Sequence, residues 1–112
     1  MSDVCIGISV VTSIYNKSVY LDDYFKSLMN QSFKNFEVIC VEDCSTDDSM
    51  EHLNRLVFNK PQFTVIKNEV NSGLSVSRNN AINMCKGKYV CFLDADDCFR
   101  PDAFEKLWNV AE

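Results

Sequence analysis

Four short runs rich in β-branched and aromatic residues, each followed by a stretch of helical periodicity, restrict this chain to one fold class. The runs are Ile6–Thr12, Phe36–Val41, Phe63–Lys67 and Lys88–Leu93. Strand patterns alternating with helical patterns signal βαβ units and therefore a parallel sheet. Ser9 is the one polar interruption in the first run, and such unbroken apolarity belongs to strands covered on both faces. The expected fold is thus α/β, a three-layer α/β/α sandwich on a mostly parallel sheet. A chain of 112 residues, 46% of them apolar, fills one core and not two, so residues 1–112 are read as a single domain.

The intervening segments follow from their apolar spacing. Leu21, Phe25 and Leu28 make one stripe on a first helix over Tyr20–Asn30, after a polar loop Ser13–Val19. A second helix carries Met50, Leu53, Leu56 and Val57 inward; Ser45 or Thr46 is its expected cap, Asp47 and Asp48 suit its positive end, and Pro61 marks its exit. The third spans Leu74–Lys86 with Leu74, Ala81, Ile82 and Cys85 facing the sheet and Gly87 as C-cap. Pro101 opens the last, whose inward face is Phe104, Leu107, Trp108 and Ala111.

Eleven basic against sixteen acidic residues leave a net charge of −5 spread along the chain, which argues against nucleic acid or anionic lipid as a partner. The longest apolar run, Tyr89–Leu93, is too short for a transmembrane segment, and no signal-peptide pattern opens the sequence, so a cytoplasmic protein is expected. Six cysteines without a Cys-x-x-Cys pair read as small core thiols in a reducing compartment. His52 has no second ligand-type residue at metal spacing and reads as surface.

Right-handed crossovers bring the carboxyl ends of all parallel strands to one edge, where open α/β sheets bind ligands. Three polar clusters fall there: Ser13-Ile14-Tyr15-Asn16, Glu42-Asp43, and Asp94-Ala95-Asp96-Asp97. The last sets three carboxylates in four residues, a repulsion that a cation relieves, and hard oxygen donors suit Mg²⁺ or Mn²⁺ bridging to phosphate. Taken alone, an Asp-rich turn is equally a cap. Arg78 shares the apolar face of the third helix and needs an anionic partner, either a strand-end aspartate or a ligand phosphate or base. With Ser45 and Thr46 available as caps, Asp43 is left to accept hydrogen bonds from a base or ribose. Tyr15 and Asn16 can close over a planar ring.

In order along the chain, Val10-Val11-Thr12-Ser13-Ile14-Tyr15-Asn16, Gln31-Ser32-Phe33, Val41-Glu42-Asp43-Cys44-Ser45-Thr46-Asp47-Asp48-Ser49, Asn71-x-Gly73-Leu74-Ser75-x-Ser77-Arg78-Asn79 and Gly87-Lys88-Tyr89-Val90-x-Phe92-Leu93-Asp94-Ala95-Asp96-Asp97 resemble the N-terminal region of a family 2 glycosyltransferase. That resemblance implies the Rossmann-like half of a GT-A fold. It implies a pocket for a nucleoside diphosphate sugar lined by Ser13, Tyr15, Asp43, Arg78, Asp94, Ala95 and Asp96, with Asp96 and then Asp97 holding the Mg²⁺ or Mn²⁺. The acceptor it implies is a saccharide or lipid-linked hydroxyl, met at the cytoplasmic face of the membrane. Glu42 stands where that family usually has aspartate, Cys44 where glycine is common, and Ser13 where proline is frequent.

The family pattern runs on past the Asp-x-Asp element to an acceptor site and an acidic base that this sequence lacks, so a domain truncated relative to the family is expected. Asp47, Asp48 and Asp102 occupy helix starts and read as caps. A non-catalytic nucleotide-sugar-binding or assembly module is the alternative reading. An exposed sheet edge is a pairing hazard, which keeps a homo-oligomer among the candidate partners. A phospho-acceptor receiver domain needs a lone aspartate after its third strand, where this sequence has Lys67-Asn68.

Overall fold

A computed structural model describes residues 5–112. Four strands, β1 (Ile8–Ile14), β2 (Phe36–Glu42), β3 (Phe63–Lys67) and β4 (Tyr89–Phe92), alternate with four helices, α1 (Ser18–Met29), α2 (Ser49–Val57), α3 (Leu74–Ile82) and α4 (Ala103–Ala111). The strands form one parallel sheet in the order β3-β2-β1-β4. The expected α/β sandwich is therefore present. Among the described residues no helix is long and apolar enough to cross a membrane.

Direction of travel assigns the layers. The chain steps outward from β1 to β2 to β3, then returns across the whole sheet to reach β4 on the far side of β1. Since both senses of crossover are right-handed, the reversal puts α3 on the opposite face from α1 and α2. The two cores agree. Ile8, Val10, Ile14, Val38 and Cys40 pack with Leu21, Tyr24, Leu28, Leu53 and Phe104 from α1, α2 and α4, whereas Val11, Ile39 and Val41 meet Ala81 of α3.

Several boundaries differ from the sequence reading, each for a physical reason. β1 runs on to Ile14 because Ser13 and Ile14 pair with Val41 and Glu42, so Ser13 lies in the strand and the polar loop shrinks to Tyr15-Asn16-Lys17. In α1 the buried stripe is Leu21, Tyr24 and Leu28; Tyr24 turns inward because Thr12 Oγ shares a hydrogen bond with its hydroxyl, while Phe25 stacks on Phe63 at 5.4 Å. The regular helix α3 ends at Ile82, followed by tight turns that close Met84 on Ala81 and Cys85 on Ile82. Of its predicted stripe only Ala81 and Cys85 reach the sheet, and Leu74 and Ile82 stay about half exposed.

Gly87 is not a C-cap. Its backbone presses on β1 so closely that an added Cβ would lie 2.6 Å from the Ser9 nitrogen. α4 starts at Ala103, past Pro101, and buries Phe104 fully; Trp108 is half-buried, and Leu107 and Ala111 border an apolar cavity of about 270 Å³ against Ile8 and Cys91. Its N-terminus is served from elsewhere, by the buried Gln31, whose Oε1 accepts from Phe104 N at 3.0 Å. Of the six cysteines, all free, Cys40 is buried and Cys5 and Cys98 are exposed, so the core-thiol reading holds for Cys40 and fails for those two.

Candidate functional site

At β1 the strand order reverses, with β2 on one side and β4 on the other, and the loops leaving β1 and β4 come together where Lys17 meets Asp96. This is the switch point at which open α/β sheets take their ligands. Because every strand is parallel, the loops after β1, β2 and β4 share one rim, and Asp43 and Asp96 stand on it together.

Asn16 stitches the first two loops together. Held at φ 52°, a left-handed conformation that asparagine tolerates, it turns its Oδ1 to accept from Thr46 N, Thr46 Oγ1 and Asp47 N at 2.8, 3.2 and 3.2 Å. Its own N–H donates to Ser45 Oγ at 2.9 Å. Neither Ser45 nor Thr46 caps α2, contrary to the spacing argument. The N-cap position falls to Asp48, which makes no side-chain cap bond; Asp47 before it ties the starts of α1 and α2, its two oxygens accepting from Ser49 N at 2.9 Å and Ser18 N at 3.3 Å. Burial would raise the Asp47 pKa, but these donors outweigh it and hold the carboxyl below its ordinary value. Tyr15, 40% exposed, leaves its ring on the rim.

Asp43 is 3% exposed and already engaged. Its Oδ1 accepts from Asn68 Nδ2 at 2.9 Å and Ser72 N at 2.7 Å, and its Oδ2 from Gly73 N at 3.0 Å. Desolvation pushes its pKa up, yet the three donated bonds win and the carboxyl sits below the usual aspartate value. Freed from capping α2, Asp43 instead shapes the loop that enters α3. Gly73 adopts φ 85° there, a backbone that a side chain would strain. Glu42, also buried, accepts from Ser45 N at 3.1 Å and from Ser45 Oγ, closing a turn in which Cys44 takes φ 60°.

β4 delivers the acids. Its continuation turns sharply, Asp97 N donating to Asp94 O at 3.1 Å, and Ala95 is buried in the core as the pin of that turn. The carboxylates of Asp94, Asp96 and Asp97 project outward with oxygens within 4.8 Å of one another. Hard, exposed, closely spaced oxygens are the donor set that Mg²⁺ or Mn²⁺ takes while keeping water. Asp96 Oδ2 also lies 3.3 Å from Lys17 Nζ.

Arg78 sits on the α3 side of the sheet with its guanidinium 5.0 Å from the centre of the Phe92 ring. Among the described residues it has no ion pair, so the structural partner offered as one of two options is absent, and the face of an aromatic ring supports the charge instead. His52 departs from its surface reading: its side chain is 16% exposed and bridges α2 to α1. Asp22 can only accept, so His52 Nε2 donates to it at 2.8 Å, and in the neutral ring Nδ1 accepts from Ser18 Oγ at 3.1 Å. Lys17 and Asn16 carry more of the rim than their types or spacing announced. Asn next to a strand end, a residue type that accepts positive φ, is the one signal the sequence offered.

The family model for glycosyl transferase family 2 matches residues 9–112. TuaG of Bacillus subtilis (strain 168), named provisionally as a teichuronic acid biosynthesis glycosyltransferase, is 39% identical over 99 residues, covering 88% of this chain and 39% of TuaG. Among solved structures, S. aureus TarS 1–349 in complex with UDP superposes with a TM-score of 0.82 at 33% identity, over 90% of this chain and 30% of that one. The mannosyltransferase PcManGT from Pyrobaculum calidifontis, in complex with GDP-Man and Mn²⁺, shares the fold with a TM-score of 0.81 at 22% identity, over 97% of this chain and 34% of its own. The chain thus spans about two-fifths or less of the length of these relatives.

Proposed function

The chain belongs to glycosyl transferase family 2, and from that membership we propose that it binds a nucleoside diphosphate sugar, the donor of a glycosyl transfer, on the rim formed by the ends of β1 and β4. The observation that carries this reading is the coincidence of the Asp94-Asp96-Asp97 cluster with the topological switch point of the sheet. Tyr15 offers a ring face to the base and Ser13 a hydroxyl beside it. Asp43 builds the pocket wall by fixing Ser72 and Gly73, with lone-pair capacity left for the base or ribose. Asp94 and the backbone at Ala95 face the ribose. Arg78, poised on Phe92 without a carboxylate partner among the described residues, supplies positive charge for the phosphates or base.

Asp96 with Asp97 would hold Mg²⁺ or Mn²⁺. Such an ion, when bound, stabilises the negative charge that develops on the departing nucleoside diphosphate. The acceptor, a saccharide or lipid-linked hydroxyl, would be met at the cytoplasmic face of a membrane by the longer enzyme of which residues 1–112 are the donor-binding domain. Two of the helix-start acids are already engaged, Asp47 by two backbone donors and Asp102 by Arg100 and Lys106, and neither suits a general base.

Calorimetric titration with UDP, GDP and dTDP, with and without Mn²⁺, tests the proposal. One of the three should bind in a Mn²⁺-dependent manner, and Asp96→Asn should abolish that dependence while leaving the circular dichroism unchanged. Binding of none of them, or equal binding with and without the metal, would sink it.

A further inference from the structure

Lys17 is the one basic side chain paired with the aspartate cluster among the described residues. Resting on the metal-binding reading of that cluster, we propose that Lys17 is its built-in counter-ion, a positioning residue that a divalent cation has to displace from Asp96. The ammonium reaches Asp96 Oδ2 at 3.3 Å across 79 positions of sequence. Its placement is not casual. The Lys17 N–H donates to Ser49 Oγ at 3.0 Å, the preceding Asn16 is fixed by Ser45, Thr46 and Asp47, and the ammonium stands 5.6 Å from the centre of the Tyr20 ring. The backbone is therefore anchored, and the freedom that remains lies in the side chain. Lys17 and Asp96 are 35% and 39% exposed, so the pair is weak enough to open and close enough to matter.

Charge balance gives the consequence. Three carboxylates and one ammonium sum to −2, and a dication approaching Asp96 meets a like charge already on the oxygen it needs. With the ammonium removed, that oxygen is free and the repulsion is gone. For exposed charges a few ångströms apart in a screened, water-like medium, the gain is roughly three- to tenfold in metal affinity. The lysine thus sets how tightly the cluster holds metal, and it links the loop after β1 to the loop after β4 whenever metal is off Asp96.

The test is a Mn²⁺ titration of the nucleotide-free chain, by calorimetry or by the paramagnetic resonance of free Mn²⁺, at low and moderate salt. Lys17→Met and Lys17→Gln should each bind roughly three- to tenfold more tightly than wild type, Lys17→Arg within about twofold of it, and the difference should shrink as salt rises. Two neutral replacements guard against one that folds poorly, with circular dichroism as the check on each. Unchanged or weaker Mn²⁺ binding by both neutral variants, with wild type binding normally, overturns the role of Lys17 alone. Failure of wild type and variants alike to bind Mn²⁺ overturns the metal-binding reading and this inference with it.

Discussion

At the scale of single residues, Asp43 joins stability to the site, because its carboxylate holds the loop that opens α3. Asp43→Asn keeps the shape but replaces one accepting oxygen by an NH₂ donor that faces the N–H groups around it, which should cost about 1–3 kcal/mol in urea unfolding at pH 7. The sign with pH follows from the depressed pKa. A carboxyl whose folded pKa lies below its unfolded value stabilises above the unfolded value, about 3.9, and loses that contribution as pH falls through the folded one. The gap between wild type and Asp43→Asn should therefore be full above about pH 4 and close below it; a gap independent of pH would contradict the assignment. Cys44 is a second case, since its φ of 60° suits glycine. Cys44→Gly should be neutral or stabilising by up to about 1 kcal/mol, the relief of left-handed strain offsetting the added freedom of the unfolded chain. Burial pushes the Cys40 thiol up to about 12, against a smaller downward pull from Tyr24, so iodoacetamide at pH 8 should label Cys5 and Cys98 and spare Cys40 until the protein unfolds. The acids and Arg78 were legible from residue type and spacing. The partners were not: the ring of Phe92 under Arg78, and Lys17 opposite Asp96, depend on which loops the sheet order makes neighbours.

Among the elements, sequence periodicity found every strand and helix, because alternation of β-rich runs with 3.6-residue stripes is a local property. Boundaries moved where a neighbour decided them. Ser13 and Glu42 are polar and still belong to strands, since each pairs across the β1–β2 ladder. The buried stripe on α3 is narrower than its apolar spacing predicts, because among the described residues no second helix flanks it on that face of the sheet. The rule that glycine ends helices predicts a C-cap at Gly87, whereas its reason is contact: Ser9 N and Ser9 Oγ leave no room for a Cβ. The same crowding joins three elements, for Gly87 N donates to Ser9 Oγ, and Glu37 Oε2 accepts from Ser9 Oγ and Lys86 N. Gly87→Ala should lower stability by about 2–3 kcal/mol through overpacking. An alanine variant as stable as wild type would show that β4 can shift away from β1 without loss.

For the molecule as a whole, the proposed donor binding should show as a gain in stability. A nucleotide and metal that bind the native chain alone add about 2.7 kcal/mol at a hundredfold excess over Kd, a rise of order 10 °C in the melting temperature for a domain of this size. Thermal melts with Mn²⁺ and each nucleotide should single out the one that calorimetry finds. No shift with any of them would speak against the proposed donor site. What remains is the long return path of the chain, which leaves β3 and crosses behind the sheet to place β4 against β1. The loop after β1 and the acids after β4, far apart in the sequence, meet because this strand lies beside β1. On the proposed donor site, a chain with β1, β2 and β3 paired but β4 unseated would have the base-facing jaw and no acids opposite it, so donor binding should demand the complete sheet.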